Sequence, residues 1–241
     1  KELGIVDERE FWTLAVGREL TDPPRYAEDF LGSKLMRNWE EALEDAIDAD
    51  AAQLNLAYVS AEPELYSWYY RDREDGESDL SNLPLTAYLI NLGMTSMNAP
   101  LDVRILDTVG LATPIAARMP RDPEGRVGHD KFLDPAWQAA DTDTYLDGLP
   151  PFISSMRAKQ ARAALRSPEI SELLATSREP MSWERFWKNV RYSLGDGRTL
   201  QLSSDPGLYI DADTRRAIRR GANPGMDGAQ IAWPVEAHSG E

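Results

Sequence analysis

The chain has 241 residues, room for a sizeable core in one large domain or two small ones; its 42% hydrophobic and 28% charged residues exclude a disordered chain. With no cysteine, disulfides, thiolate catalysis and thiolate zinc sites are excluded, and no apolar run reaches the ~20 residues that cross a bilayer. Lys and Arg number 26 against 41 Asp and Glu, a formal net charge of −15, which argues against nucleic acid as a partner and against simple adhesion to an anionic membrane.

A neutral ligand such as a glycan, or a cationic one, is compatible with that charge. The sequence begins at Lys1 without initiator Met or signal peptide, which points to a processed product or a piece of a longer protein.

In chain order, Asp7 to Val16 predicts a short helix with Phe11, Trp12 and Ala15 inward. Ser33 is placed to cap a stronger one, in which Leu35, Met36, Trp39, Leu43 and Ile47 form the inner stripe and Glu40, Glu41, Glu44, Asp45 and Asp48 the outer face. A strand is expected from Leu54 to Val59. After it come an aromatic patch (Tyr66, Trp68, Tyr69, Tyr70) and a polar connector, Arg71 to Asn82.

Ala87 to Met94 reads as a buried strand, and Leu101 to Leu106 alternates apolar and polar residues as a second. Thr113-Pro114 signals the start of a helix reaching Met119. Pro120 to Pro135 is a long loop, and Trp137 to Ala140 is read as a short strand. Helices are then expected from Ser155 to Leu165, from the Ser167-Pro168 signal, and from Ser182, where Trp183, Phe186, Trp187 and Val190 make the clearest amphipathic stripe. Thr199 to Leu202 and Leu208 to Ile210 are candidate strands, and Thr214 to Arg220 an Arg-rich helix stopped by Gly221. The whole predicts an α/β fold, an open mixed sheet covered by helices with a helical C-terminal third. Residues 1–221 are expected to form a single domain, with 222–241 an irregular tail.

Much chemistry lacks its signature. His129 and His238 are the only histidines, so a histidine-rich metal site is impossible, and no EF-hand fits, since Gly76 in the glycine position would put Arg71 at the first ligand position. No P-loop, dinucleotide fingerprint or nucleophile elbow is present, and no metal or cofactor is expected. The pairs Asp141/Asp143 and Asp211/Asp213 read as a solvated loop or a helix start.

Two constellations remain. Asp107, with Gly110 three residues on, ends a strand at the sheet edge where α/β folds bind ligands; it either faces a ligand or caps its own turn. Gly128-His129-Asp130-Lys131 offers donors and acceptors that can ring a polar ligand, or is a surface loop with an incidental ion pair. The Tyr66 to Tyr70 patch and Trp137 can stack on sugar faces or pack in the core, whereas the Trp183/Phe186/Trp187 stripe reads as core or interdomain packing.

The segment NLGMTSMNAPLDVRILDTVGLATPIAAR (Asn91 to Arg118), then RVGHDK (Arg126 to Lys131) and DPAWQAAD (Asp134 to Asp141), resembles the terminal β-(1→2)-arabinofuranosyltransferase family of mycobacterial and corynebacterial cell walls. IVDER near the start and REPMSWERF from Arg178 add to the likeness, which runs from about Ile5 to Ile210. The resemblance implies the extracytoplasmic C-terminal domain of a GT-C membrane enzyme. Such an enzyme transfers arabinofuranose from decaprenyl-phosphoryl-arabinose to the arabinan of arabinogalactan or lipoarabinomannan. Its catalytic aspartate would lie upstream of Lys1, so no catalytic residue is assigned here and the separate chain is expected to be inactive.

The expected acceptor-binding residues are Asn91, Asp107, His129, Asp130, Lys131 and Trp137. They would be grouped where the turn after the Ile105 strand meets the histidine loop, with the N-terminal membrane portion of the same enzyme as partner. The alternative is a structural domain bracing that membrane portion. A third reading, an autonomous glycosidase, needs a carboxyl pair ~5–9.5 Å apart across a cleft, which no motif here supplies.

Overall fold

The computed structural model describes residues 7–74, 80, 83–126 and 128–222; the expected tail, 222–241, lies outside them except for Ala222, as does most of the Arg71 to Asn82 connector. The chain divides into two compact units. One comprises Lys1–Arg73, Pro84–Thr113 and Arg121–Phe132, the other Glu74–Leu83, Pro114–Pro120 and Leu133–Glu241.

The first unit holds the sheet. Strands β1 (Gln53–Ala61), β2 (Glu64–Arg71), β3 (Thr86–Tyr88) and β4 (Arg104–Leu106) lie in the order β2-β1-β3-β4. The β1–β2 pair is antiparallel; β1–β3 and β3–β4 are parallel, which makes the open mixed sheet predicted above.

Helix α1 (Glu8–Ala15) starts where Asp7 accepts from the Arg9 and Glu10 amides at 3.0 and 3.1 Å. Ser33 caps only a 3-10 turn, Lys34–Met36, and α2 (Trp39–Asp48) begins later than its stripe suggested. The interruption has a cause in Asn38, left-handed at φ 50°. Its carboxamide accepts from Trp68 N at 2.9 Å and donates to Trp68 O at 3.1 Å, tying the start of α2 to β2. Trp39 and Trp68 then meet edge to face, 4.7 Å between centroids, in a core with Leu43, Leu54, Ala87 and Met94.

Other expectations also change in this unit. Ala87 to Met94 is not one strand: β3 ends at Tyr88, and α3 (Leu92–Ser96) follows. The second strand is confined to Arg104–Leu106 because Leu101 is fully exposed and gains nothing from pairing. The aromatic patch is β2 itself, with Trp68 buried and Tyr58 against Tyr66 across the hairpin.

The second unit is helical: α4 (Pro114–Arg118), α5 (Pro135–Ala140), α6 (Ser155–Ala164), α7 (Pro168–Arg178), α8 (Trp183–Leu194), α9 (Asp196–Thr199) and α10 (Ala212–Arg219). Alanine makes its closest packing. Ala158, Ala161 and Ala164 on α6 and Ala136, Ala139 and Ala140 on α5 are essentially without exposure, so the two backbones approach closely. The expected strand at Trp137 is α5, because Asp134 accepts from Ala136 N at 2.8 Å and Pro135 supplies the first helical residue. The strands expected at Thr199 to Leu202 and Leu208 to Ile210 are absent; the chain there finishes α9 and makes a 3-10 turn, Pro206–Tyr209, capped by Asp205.

Asp141 and Asp143 are buried, not solvated. One guanidinium nitrogen of Arg178 reaches both Asp141 oxygens, at 2.6 and 2.7 Å. Arg162 caps the carbonyls of Thr142 and Thr144 at 2.9 and 2.7 Å and pairs with Glu74. Asp211 behaves as a helix start, accepting from Thr214 N at 2.7 Å.

Candidate functional site

The turn after β4 is organised by Asp107. Its side chain has no exposure. One oxygen accepts from the amides of Val109 (2.9 Å), Gly110 and Leu111 (2.8 Å), the other from Ala112 (2.7 Å) and Thr113 (3.1 Å). Gly110, at φ 98°, supplies the left-handed residue that turns the amides inward. Burial opposes the negative charge, but hydrogen bonds from Ala112, Leu111, Gly110 and Val109 outweigh it and hold the carboxyl below the usual range. Of the two readings of Asp107, the hydrogen bonds show the turn cap: both its oxygens accept from its own turn.

The histidine loop is built similarly from within. Asp130 O accepts from Asp122 N at 2.6 Å, His129 N donates to Arg126 O at 2.7 Å, and Arg121 pairs with the Asp130 carboxylate at 2.7 Å. Gly125 permits this closure, since a Cβ there would lie 2.6 Å from Asp130 Cα. Asp130 is thus a loop-forming residue. His129 is exposed, and its ring has no hydrogen-bond partner among the described residues.

Turn and loop border one hollow of about 540 Å³, lined by Val109, Leu111, Gly128 and His129 together with Asn91, Trp12 and Phe30. A second, of about 460 Å³, shares Trp12, Ile90, Asn91 and His129 with it. The second adds Phe11, Tyr66, Glu8, Glu64, Lys34 and Arg126. Asn91 precedes α3, and its side-chain amide caps nothing. Around it the polar groups are held in place: Trp12 Nε1 donates to Glu8 at 3.1 Å, Tyr66 Oη to Glu64 at 2.9 Å and Lys34 Nζ to Glu64 at 3.3 Å. The Tyr66 and Lys34 hydrogen bonds lower the Glu64 carboxyl below its usual range, and the same bond raises the Tyr66 phenol. Aromatic faces beside fixed acceptors and donors suit a hydroxyl-rich, uncharged ligand.

Residues 32–212 match the AftB family C-terminal domain. The chain belongs to that family. It is 44% identical, over 96% of its own length, to the terminal beta-(1->2)-arabinofuranosyltransferase of Corynebacterium glutamicum. It is 32% identical over 79% of its length to the protein of the same name from Mycobacterium tuberculosis. The chain spans about a third of these relatives, 34% and 30% of their lengths. No solved structure matches it.

In this AftB-family domain, Asn91 and His129 line the hollows, while Lys131 lies outside their lining, half-buried. Trp137 is not on a sugar-facing surface: its ring has no exposure, donates to Ser204 O at 3.1 Å and packs against Tyr209 within the second unit. Sequence reasoning missed Trp12, Glu8, Lys34 and Glu64. Their one local signal was the i, i+4 spacing of Glu8 and Trp12; the rest is brought to Asn91 by the fold alone. Among the described residues no cluster of three or more His, Cys, Asp or Glu could hold a metal ion, and no helix is long and apolar enough to cross a membrane.

Proposed function

We propose that this domain positions the arabinan acceptor of a membrane-tethered arabinofuranosyltransferase, on the extracytoplasmic side, for addition of a terminal β-(1→2)-arabinofuranose from decaprenyl-phosphoryl-arabinose. The observation that carries the reading is the shared wall of the two hollows, where the Asn91 amide and His129 imidazole stand beside Trp12 without hydrogen-bond partners among the described residues. A furanose can lay a C–H face on the indole while its hydroxyls meet the amide and the imidazole, each of which both donates and accepts. Asp107 and Asp130 serve by fixing the turn and the loop that present this wall. Holding an acceptor hydroxyl in one orientation contributes several kcal/mol to transfer without any bond-breaking group in the domain.

Titration of the 241-residue chain with arabinan oligosaccharides, followed by calorimetry or by NMR of the His129 ring, tests this. Binding is expected, with His129→Ala and Asn91→Ala each weakening it about tenfold, the scale of one or two lost hydrogen bonds to ligand, and leaving thermal stability unchanged. A folded sample that shows no binding at millimolar ligand overturns the proposal.

A further inference from the structure

Helix α8 is mounted back to front. An amphipathic surface helix ordinarily buries its apolar stripe and shows water its polar side. Here the polar side holds it to the rest of the second unit. Arg185, nearly without exposure, reaches Glu172 at 2.5 Å and Glu179 at 2.9 Å, and Asn189 donates to the Thr176 carbonyl at 2.9 Å. The aromatic side points away. Trp183 and Leu194 are each 75% exposed, Phe186 and Trp187 more than 40%, and Met181, just before the helix, 67%. Of the two readings of the stripe, core and interdomain packing, this exposure removes the first.

The rings form one ridge. Trp183 stacks on Phe186 with centroids 5.6 Å apart, and Trp187 meets both edge-on at 5.7 and 5.3 Å. At about 100° per residue, positions 183, 186, 187, 190 and 194 fall within an arc of about 100°, and the ridge runs for roughly 18 Å. Beside that arc stands Arg191, exposed and with no ion-pair partner among the described residues, and beyond it Lys188, which Glu184 pairs at 2.9 Å. Of the three cations in Trp183 to Leu194, Arg185 is buried against Glu172 and Glu179 and Lys188 is paired by Glu184, which leaves Arg191 as the cation beside the ridge.

We infer that this face of α8 docks on a phospholipid bilayer, with the indole, phenyl and leucine side chains at the depth of the headgroups and Arg191 against their phosphates. A ridge of indole and phenyl rings with Arg191 and Lys188 along one border has the chemistry of an interfacial helix lying in the membrane plane. Arg191 gives the ridge a local complementarity to lipid phosphates that the acidic chain as a whole lacks. The acidic remainder restricts contact to this one ridge. The inference is independent of the glycan hollow, which lies in the other unit.

Flotation of the 241-residue chain with phosphatidylcholine vesicles containing phosphatidylglycerol reads it directly. The chain is expected to float with the vesicles, and bromine-labelled acyl chains are expected to quench its indole emission. Trp183→Ser/Trp187→Ser should lower partitioning tenfold or more, and Arg191→Glu several-fold, less on pure phosphatidylcholine. Neither variant disturbs the Arg185 and Asn189 anchors. Wild-type chain left behind by both vesicle types without quenching, equal flotation of the double variant, or a self-association through α8 that the double variant abolishes would each overturn the inference.

Discussion

Asp107 shows how differently one residue reads before and after its surroundings are known. An aspartate at the end of a strand, with a glycine three positions on, fits ligand chemistry and turn capping alike. Five backbone amides decide for the turn, and with them the cost of losing the carboxylate. Asp107→Asn keeps one acceptor oxygen for five donors, and a loss of about 2 kcal/mol or more is expected in urea unfolding. The sign with pH follows from the depressed carboxyl. Its stabilisation is complete above the ordinary aspartate value of about 3.9 and is lost as pH falls through the lower folded value, so the gap between wild type and Asn variant should close on acidification below about pH 4. His129 is the opposite case: exposed, with a ring unpartnered among the described residues, it is a residue whose removal should register in ligand affinity and not in the melt.

At the scale of elements, the helices with complete start signals were legible. Asp7, Ser167-Pro168, Ser182 and Asp211 all stand where helices begin. Asp134-Pro135 carries the same signal, and reading Trp137 to Ala140 as a strand ignored it. The short apolar run from Ala87 was beyond periodicity, because a buried strand and a buried short helix both present continuous apolar residues. Asn38 could not be foreseen as an interruption, since its reason is a strand thirty residues away. The α5–α7 connection by Arg178 and Asp141 was equally hidden, and it supports a sharp expectation. Arg178→Ala leaves a carboxylate buried without its main cation and should cost about 3–5 kcal/mol. Arg178→Met with Asp141→Leu should recover much of that loss, as measured by chemical unfolding in a double-mutant cycle.

For the molecule as a whole, composition spoke plainly and topology did not. The acidic excess sets an isoelectric point near 4.6, so solubility should pass through its minimum close to that pH, seen as turbidity during a pH titration. The mixed sheet followed from a strand–turn–helix order that local residues announce, and the family likeness from a long continuous segment. The hollows did not, because they assemble α1, β2, the start of α3 and two loops whose members share no spacing. The orientation of α8 was illegible for a related reason: a periodic stripe tells which residues share a side, and only the partners of Arg185 and Asn189 tell which side is held.

The closed cradle around Asp107 bears on how an incoming molecule would experience the adjoining rim. Peptide groups already satisfied from within have no hydration shell to surrender and no need to rearrange. Water displaced on entry would come instead from the side chains of the wall, the Asn91 carboxamide and the His129 imidazole, and beyond it from Glu64, Lys34 and Arg126.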